Sequence, residues 1–248
     1  MDKKLVIIPT YNEKENIRAI IAAVLALPGA YHVLVIDDGS PDGTAALVKD
    51  AQKENPDTLH LLERSGKLGL GTAYLTGFRW ALEHGYDYIF EMDADFSHNP
   101  QDLLRLYEAC SQGGAQLAVG SRYCNGVSVI DWPISRIIMS YFASAYVRTV
   151  LGMRVYDTTA GFVCYKREVL ETLDLDAVKM KGYGFQIEMK YSAWKLGFTI
   201  KEVPIVFTNR QKGTSKMSGG IFGEAFWGVM ALKFRKITPS LRQAQGES

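Results

Sequence analysis

The sequence predicts an α/β fold built on a mostly parallel sheet with flanking helices. Through the first half, short β-branched runs alternate with segments of helical periodicity, the pattern of βαβ units. Several of those runs end in polar or acidic clusters, as strands do where an open sheet binds a ligand. With 248 residues, 47% of them hydrophobic, the chain can bury roughly 70–75% of its unfolded surface. One main domain with a C-terminal appendage is expected.

Leu5 to Ile8 reads as a buried strand ending at Pro9. Asn12 is placed to cap a helix running to about Leu27, with Ile17, Ile20, Ile21 and Val24 at core spacing. Val33 to Ile36 is a second strand, and Asp42 suits the N-cap of a helix over Thr44 to Asn55. Leu59 to Leu62 is a third strand; a glycine-rich turn then opens a helix from about Thr72 to His84. Tyr88 to Met92 forms the fourth strand, ending at Asp93-Ala94-Asp95. A helix over Gln101 to Gln112 and a strand over Leu117 to Gly120 complete a nucleotide-binding half.

The second half is less regular. It predicts a long helix over Ser135 to Leu151, a short strand over Phe162 to Tyr165 and a helix over Phe185 to Leu196. A strand follows over Thr199 to Phe207, in which Pro204 marks an edge or a bulge. Residues 209–220, polar, basic and glycine-rich, read as a mobile lid, and 221–236 as an amphipathic helix. The division is one domain over 1–236, with halves over 1–125 and 126–236, and a tail over 237–248.

Composition excludes several classes. Lys plus Arg is 28 against 27 for Asp plus Glu, which argues against a nucleic-acid binder relying on bulk charge. Cys110, Cys124 and Cys164 are scattered and odd in number, pointing to a reducing cytoplasm rather than a disulfide framework. The chain enters its first strand directly, so no signal peptide is expected. No apolar run reaches the roughly 18–20 residues of a membrane span, so contact with a membrane would be peripheral. Gly66-Lys67-Leu68 lacks the Ser or Thr of a P-loop, and Gly69-x-Gly71 does not complete a dinucleotide fingerprint. His32, His60 and His84 read as structural.

Asp93-x-Asp95 is the sharpest chemical feature. Residues two apart on an extended chain share a face, and two adjacent carboxylates repel unless a cation sits between them. Hard Mg²⁺ or Mn²⁺, completed by diphosphate oxygens, suits such a pair.

Pro9-Thr10-Tyr11-Asn12-Glu13-x-Glu15-Asn16, Asp37-Asp38-Gly39-Ser40-x-Asp42-Gly43-Thr44 and Asp93-Ala94-Asp95 resemble the family-2 inverting glycosyltransferases of GT-A fold. Lys67-Leu68-Gly69-Leu70-Gly71-Thr72-Ala73-Tyr74, Gly120-Ser121-Arg122-Tyr123 and Arg210-x-x-Gly213-x-Ser215-Lys216 narrow the resemblance to the dolichol (polyprenol) phosphate mannose synthases. It spans about residues 4 to 236.

This resemblance implies mannose transfer from GDP-mannose to dolichyl or polyprenyl phosphate at the cytoplasmic face of a membrane, and leaves open a membrane-anchoring partner. Pro9, Tyr11, Glu13, Ile36 and Asp38 would line the nucleoside pocket. Asp93, Ala94 and Asp95 would hold metal, diphosphate and sugar. Arg122 would sit between donor and acceptor phosphate, so that Asp95 and Arg122 carry the catalytic roles. Arg136 and Ser140 would grip the acceptor phosphate, Arg210 and Lys216 would close over the diphosphate, and Lys67 lies near the nucleotide unless it is merely an exposed lysine. Where some members add a Gln ligand, this chain has Ser97, leaving the third position to His98, Asn99 or water. The acceptor, a phosphate monoester, is largely dianionic at pH 7 and needs no dedicated base; Glu188 is a candidate base or, equally, a loop anchor. The alternatives are a polyprenyl-phosphate glucosyl- or N-acetylhexosaminyl-transferase, an enzyme with a soluble acceptor, and a non-catalytic nucleotide-sugar-binding, membrane-docking subunit. Ile221, Phe222, Ala225, Phe226, Val229, Met230 and Phe234 would face lipid, or else pack inward.

Overall fold

The computed structural model describes residues 2–180, 182–209 and 221–240, and only the backbone of 221–225. The strands are β1 (Lys4–Thr10), β2 (Tyr31–Asp37), β3 (Leu59–Glu63), β4 (Tyr88–Glu91), β5 (Leu117–Ser121), β6 (Val129–Ile130), β7 (Val163–Lys166), β8 (Ile200–Pro204) and β9 (Phe207–Thr208). The helices are α1 (Ile17–Leu25), α2 (Thr44–Glu54), α3 (Leu70–Glu83), α4 (Asp102–Ser111), α5 (Ile134–Leu151), α6 (Arg167–Thr172), α7 (Gly182–Lys195) and α8 (Ile221–Phe234).

Seven strands form one sheet in the order β3-β2-β1-β4-β7-β5-β8, and β6 pairs with β9 in a second. All neighbours in the main sheet run parallel except β7, which is antiparallel to both β4 and β5. Strands buried on both faces need continuous apolar runs, and Leu5 to Ile8 and Val33 to Ile36 are fully covered. One face packs on α1, α2 and α4 through Ile17, Ile20, Val24, Val48, Leu103 and Leu106. The other packs on α3, α6 and α7 through Tyr74, Phe78, Val169, Phe185 and Met189. Gly77 lets α3 lie close to the sheet, since a Cβ there would come within 2.9 Å of Ile7 and Ile36 side-chain atoms.

Register decides where chemistry collects. Thr10 of β1 lies opposite Asp37 of β2, and Ile7 lies opposite Glu91 of β4, so the three strands end on one edge of the sheet. Because β7 runs the other way, its start lies at that same edge, and the loop before it is delivered there.

Several expectations need correction. Asn12 does not cap α1: it adopts φ 56°, and residues 13–16 form a turn in which the Glu13 carbonyl accepts from Asn16 and Ile17. Asp42 accepts from the Thr44 amide (3.0 Å) and hydroxyl (2.6 Å), one residue ahead of the Gly43 cap position. The strand expected over Thr199 to Phe207 breaks after Pro204, and its two parts join different sheets. Pro204 sits on β8, an edge strand, where its missing N–H does no harm. Finally, α8 carries no broad polar face, only Glu224 and Lys233 among its charges. Val229 and Leu232 are buried with residues of α5 and α7, whereas Trp227 is 72% and Phe234 79% exposed. Of the two readings of this helix, inward packing holds for Val229, which packs on the protein.

Candidate active site

The edge holding the ends of β1, β2, β4 and β5 opens into a cavity of about 710 Å³. Among its lining residues are Pro9, Tyr11, Glu13, Asp38, Lys67, Asp93, Ala94, Asp95, Arg122 and Arg136. Those ten come from six separate stretches of sequence, gathered by strand register.

Two of the expected residues do not line it. Ile36 is fully buried, its side chain pointing with that of Leu34 into the α3 side of the core, where it meets Gly77. The Ile36 side chain therefore offers no surface to the cavity: Asp38 reaches it, and the Ile36 side chain packs behind. Ser140 is not on the lining either; its hydroxyl accepts from the Tyr123 hydroxyl at 2.7 Å. Arg210 and Lys216 lie outside the described residues, as does nearly all of 209–220.

On the β1–β2 side, Asp37 is turned inward and accepts from Thr10 and Ser40, so its role is to shape the turn. Asp38 is held by Arg64 at 2.6 Å, and Arg64 also donates to the Thr72 hydroxyl and the Gly69 carbonyl. Arg64 thus ties the aspartate to the glycine-rich turn that begins α3. Lys67 lies 5.3 Å from the Tyr11 ring centroid, a cation–π contact across the cavity mouth.

At the end of β4 the chain turns sharply. Phe96 adopts φ 59°, an unusual conformation for a bulky residue and a local strain next to the acidic pair. The Ser97 amide donates to Asp95 Oδ1 at 3.0 Å and its hydroxyl donates to the same oxygen. Ser97 therefore orients Asp95. Asn99 is spent on the turn into α4, accepting from the Gln101 amide at 3.1 Å. His98 lies flat on Phe162 (4.7 Å) and against the edge of Phe207, and its Nδ1 is buried without a hydrogen-bond partner among the described residues. Burial lowers the His98 pKa to about 4, so the ring is neutral at pH 7.

Among the described residues no group of three or more His, Cys, Asp or Glu is arranged to hold a metal. Asp93 and Asp95 still fit Mg²⁺ or Mn²⁺, which bind through one or two carboxylates and take further oxygens from water and phosphate.

Arg122, at the end of β5, also lines the cavity. Its Nε and NH2 make a forked pair with Asp157 at 2.7 and 2.6 Å, its amide donates to the same carboxylate, and NH2 reaches the Thr159 hydroxyl. Burial works to lower the Arg122 pKa, but the Asp157 carboxylate overcomes it and leaves the guanidinium more basic than usual. Asp157 in turn is held below the usual carboxylate range despite its burial, by Arg122. Beneath them, Lys190 donates to the Ala160 carbonyl and to Gln186, and Gln186 donates to the fully buried Glu91. Burial pushes Glu91 up to about 7 and Lys190 down to about 8. Sequence reasoning missed Arg64, Asp157, Glu91 and Lys190. The last two carried a signal, a charge inside an apolar strand or helix pattern.

Glu188 is not in the cavity. It is fully buried and accepts from the Lys179 and Met180 amides and from Arg235 beyond α8. It anchors the loop before α7 to the C-terminal segment.

Comparison with known proteins matches this geometry to a family. The family model described as Glycosyl transferase family 2 covers residues 5–174. The polyprenol monophosphomannose synthase of Mycolicibacterium smegmatis is 49% identical over 92% of this chain and 87% of its own. The undecaprenyl-phosphate mannosyltransferase of Micrococcus luteus is 47% identical over 92% of this chain and 94% of its own. Among solved structures, glucosyl-3-phosphoglycerate synthase from Mycobacterium tuberculosis with Mn²⁺, uridine-diphosphate and glucosyl-3-phosphoglycerate superposes with a TM-score of 0.70. It shares 19% identity and covers 93% of this chain and 80% of that one, a likeness of GT-A fold. The chain belongs to glycosyl transferase family 2, and the protein is a glycosyltransferase.

Proposed function

We propose that the enzyme moves mannose from GDP-mannose onto dolichyl or polyprenyl phosphate, with inversion at the sugar carbon, giving polyprenyl-phosphate-mannose and GDP. The observation that carries this reading is one cavity lined both by acidic Asp93 and Asp95 and by basic Arg122 and Arg136. The acidic pair suits a metal-bound diphosphate and the basic pair an acceptor phosphate. Relatives at 49% and 47% identity that bear polyprenyl-phosphate mannosyltransferase names support the substrate class.

In this reading the 1–125 half takes the donor. Pro9, Tyr11, Glu13 and Asp38 hold the nucleoside, the carboxylates accepting from base or ribose donors, with Lys67 beside them. Asp93 and Asp95 hold Mg²⁺ or Mn²⁺, which when bound supplies positive charge to the diphosphate leaving group. The 126–236 half takes the acceptor, a phosphate oxygen of which attacks the sugar carbon directly. No side chain removes a proton, because a phosphate monoester is already largely ionised at pH 7. Arg122, fixed by Asp157, presents the same face throughout turnover, and Arg136 receives the acceptor phosphate. Arg210 and Lys216, outside the described residues, would supply further positive charge to the diphosphate. No helix among the described residues is long and apolar enough to cross a membrane. Ile134, Ile138, Phe142, Trp227 and Phe234 are exposed on α5 and α8 and suit peripheral contact at the cytoplasmic face.

The test is a donor panel with polyprenyl phosphate as acceptor. GDP-mannose is expected to exceed UDP-glucose and UDP-N-acetylglucosamine by at least about a hundredfold in kcat/KM, the selectivity typical of sites that hydrogen-bond a ligand's polar groups. A preference for either uridine donor would overturn the mannose assignment.

A further inference from the structure

Arg122 and Arg136 both line the cavity, but their surroundings treat their charge differently. Arg122 is neutralised by the forked Asp157 pair. Arg136 meets the Asn209 side chain at 3.4 Å, Tyr183 and the Trp132 ring, which it approaches much more closely than Arg122 does at 5.5 Å. Its guanidinium carbon lies 3.9 Å from the Trp132 ring centroid, close enough for face-on stacking. A π face attracts a cation without cancelling its charge, and indole is the strongest such face among side chains.

The local chain is built to put that ring in place. β6 ends at Ile130, Asp131 turns the chain at φ 59°, and Pro133 stands at the N-cap of α5. A left-handed turn is tolerated by Asp far better than by a β-branched residue. β9 pairs alongside, Ile130 opposite Thr208. Asn209, just beyond it, donates to the Asp131 carbonyl and accepts from Arg136. Phe207 meets the Trp132 ring edge-on at 5.3 Å. The indole Nε1 is buried and has no hydrogen-bond partner among the described residues. What this site uses of the tryptophan is its face.

We infer that Trp132 is a positioning residue for the acceptor phosphate, holding Arg136 flat against the cavity wall with its charge unspent. A phosphate monoester then meets one guanidinium whose charge no carboxylate among the described residues shares and a second that is already paired. The inference rests on the functional reading above, in which Arg136 receives the acceptor.

The experiment compares wild type with Trp132→Leu and Trp132→Phe in steady-state turnover of GDP-mannose. The acceptors are a long polyprenyl phosphate and farnesyl phosphate, and thermal melting is followed in parallel. Trp132→Leu is expected to raise the KM of both acceptors about tenfold and to leave the donor KM within about twofold, a loss of the size expected for a partly desolvated cation–π contact. Trp132→Phe, which keeps a π face, recovers most of that loss. Trp132→Met, with similar bulk and no π face, serves in place of the Leu variant should that one not fold. An unchanged acceptor KM, an equal rise in donor KM, or a common fall in kcat and melting temperature that Phe does not rescue overturns the inference. So does an effect confined to the long acceptor, which would make Trp132 a contact for the lipid chain. Wild-type enzyme that transfers to neither acceptor overturns the functional reading and this inference with it.

Discussion

Asp157 is fully buried and accepts from Arg122 at three points. Removing one partner of such a pair strands the other's charge, which costs about 3–5 kcal/mol. Asp157→Ala is therefore expected to lose stability of that order in urea titration, and a loss under about 1 kcal/mol would show that the pair is not what holds Arg122. His98 gives a second test. Its folded pKa of about 4 lies below the unfolded value, so the unfolded chain binds the extra proton and His98 costs stability as pH falls below about 6.5. Glu91, raised to about 7, works in the opposite direction between its unfolded value and 7. The difference between proteins is therefore the useful quantity. His98→Phe should lose less stability than wild type on acidification from pH 6 to pH 5, by roughly 1 kcal/mol. Parallel curves would place a charged imidazole in the folded protein.

The elements differ in how legible they are. The ends of β1, β2 and β4 could be read because buried apolar runs stop abruptly at Pro9, Asp37 and Asp93. The direction of β7 could not, since a short apolar run such as Phe162 to Tyr165 looks the same whichever way it points. That direction is what carries Asp157 to Arg122, so the missing partner and the missing topology are one omission. Ile36 was placed by resemblance to the family; strand alternation, which sends 34 and 36 to one side and 35 and 37 to the other, decides where its side chain goes. In α8 an almost wholly apolar sequence has no stripe to read, and packing against α5 and α7 selects Val229 and Leu232 for burial. Glu188 offers the sharpest test at this scale. As the anchor of residues 179–180 and Arg235, Glu188→Gln should cost roughly 2 kcal/mol or more of stability and leave kcat within a few-fold. Loss of a general base would instead lower kcat by about 10²–10⁴-fold with stability little changed.

Across the whole molecule, strand register gathers acidic Asp93 and Asp95 and basic Arg122 and Arg136 into one cavity, and α5 and α8, in contact through Tyr146 and Phe226, carry exposed aromatic and aliphatic side chains. In-line transfer between two phosphates, one carrying the sugar and the other attached to a lipid, uses all three features. Transfer to a soluble hydroxyl would need a base, and the candidate the sequence offered, Glu188, is occupied elsewhere. The most direct test supplies GDP-mannose labelled in the sugar, polyprenyl phosphate and Mn²⁺, extracts the lipid and measures label in the organic phase. The account predicts label recovered as β-linked polyprenyl-phosphate-mannose, abolished by excess EDTA and by Asp95→Ala. Label confined to the aqueous phase as free mannose, or lipid labelling that persists in EDTA, would contradict it.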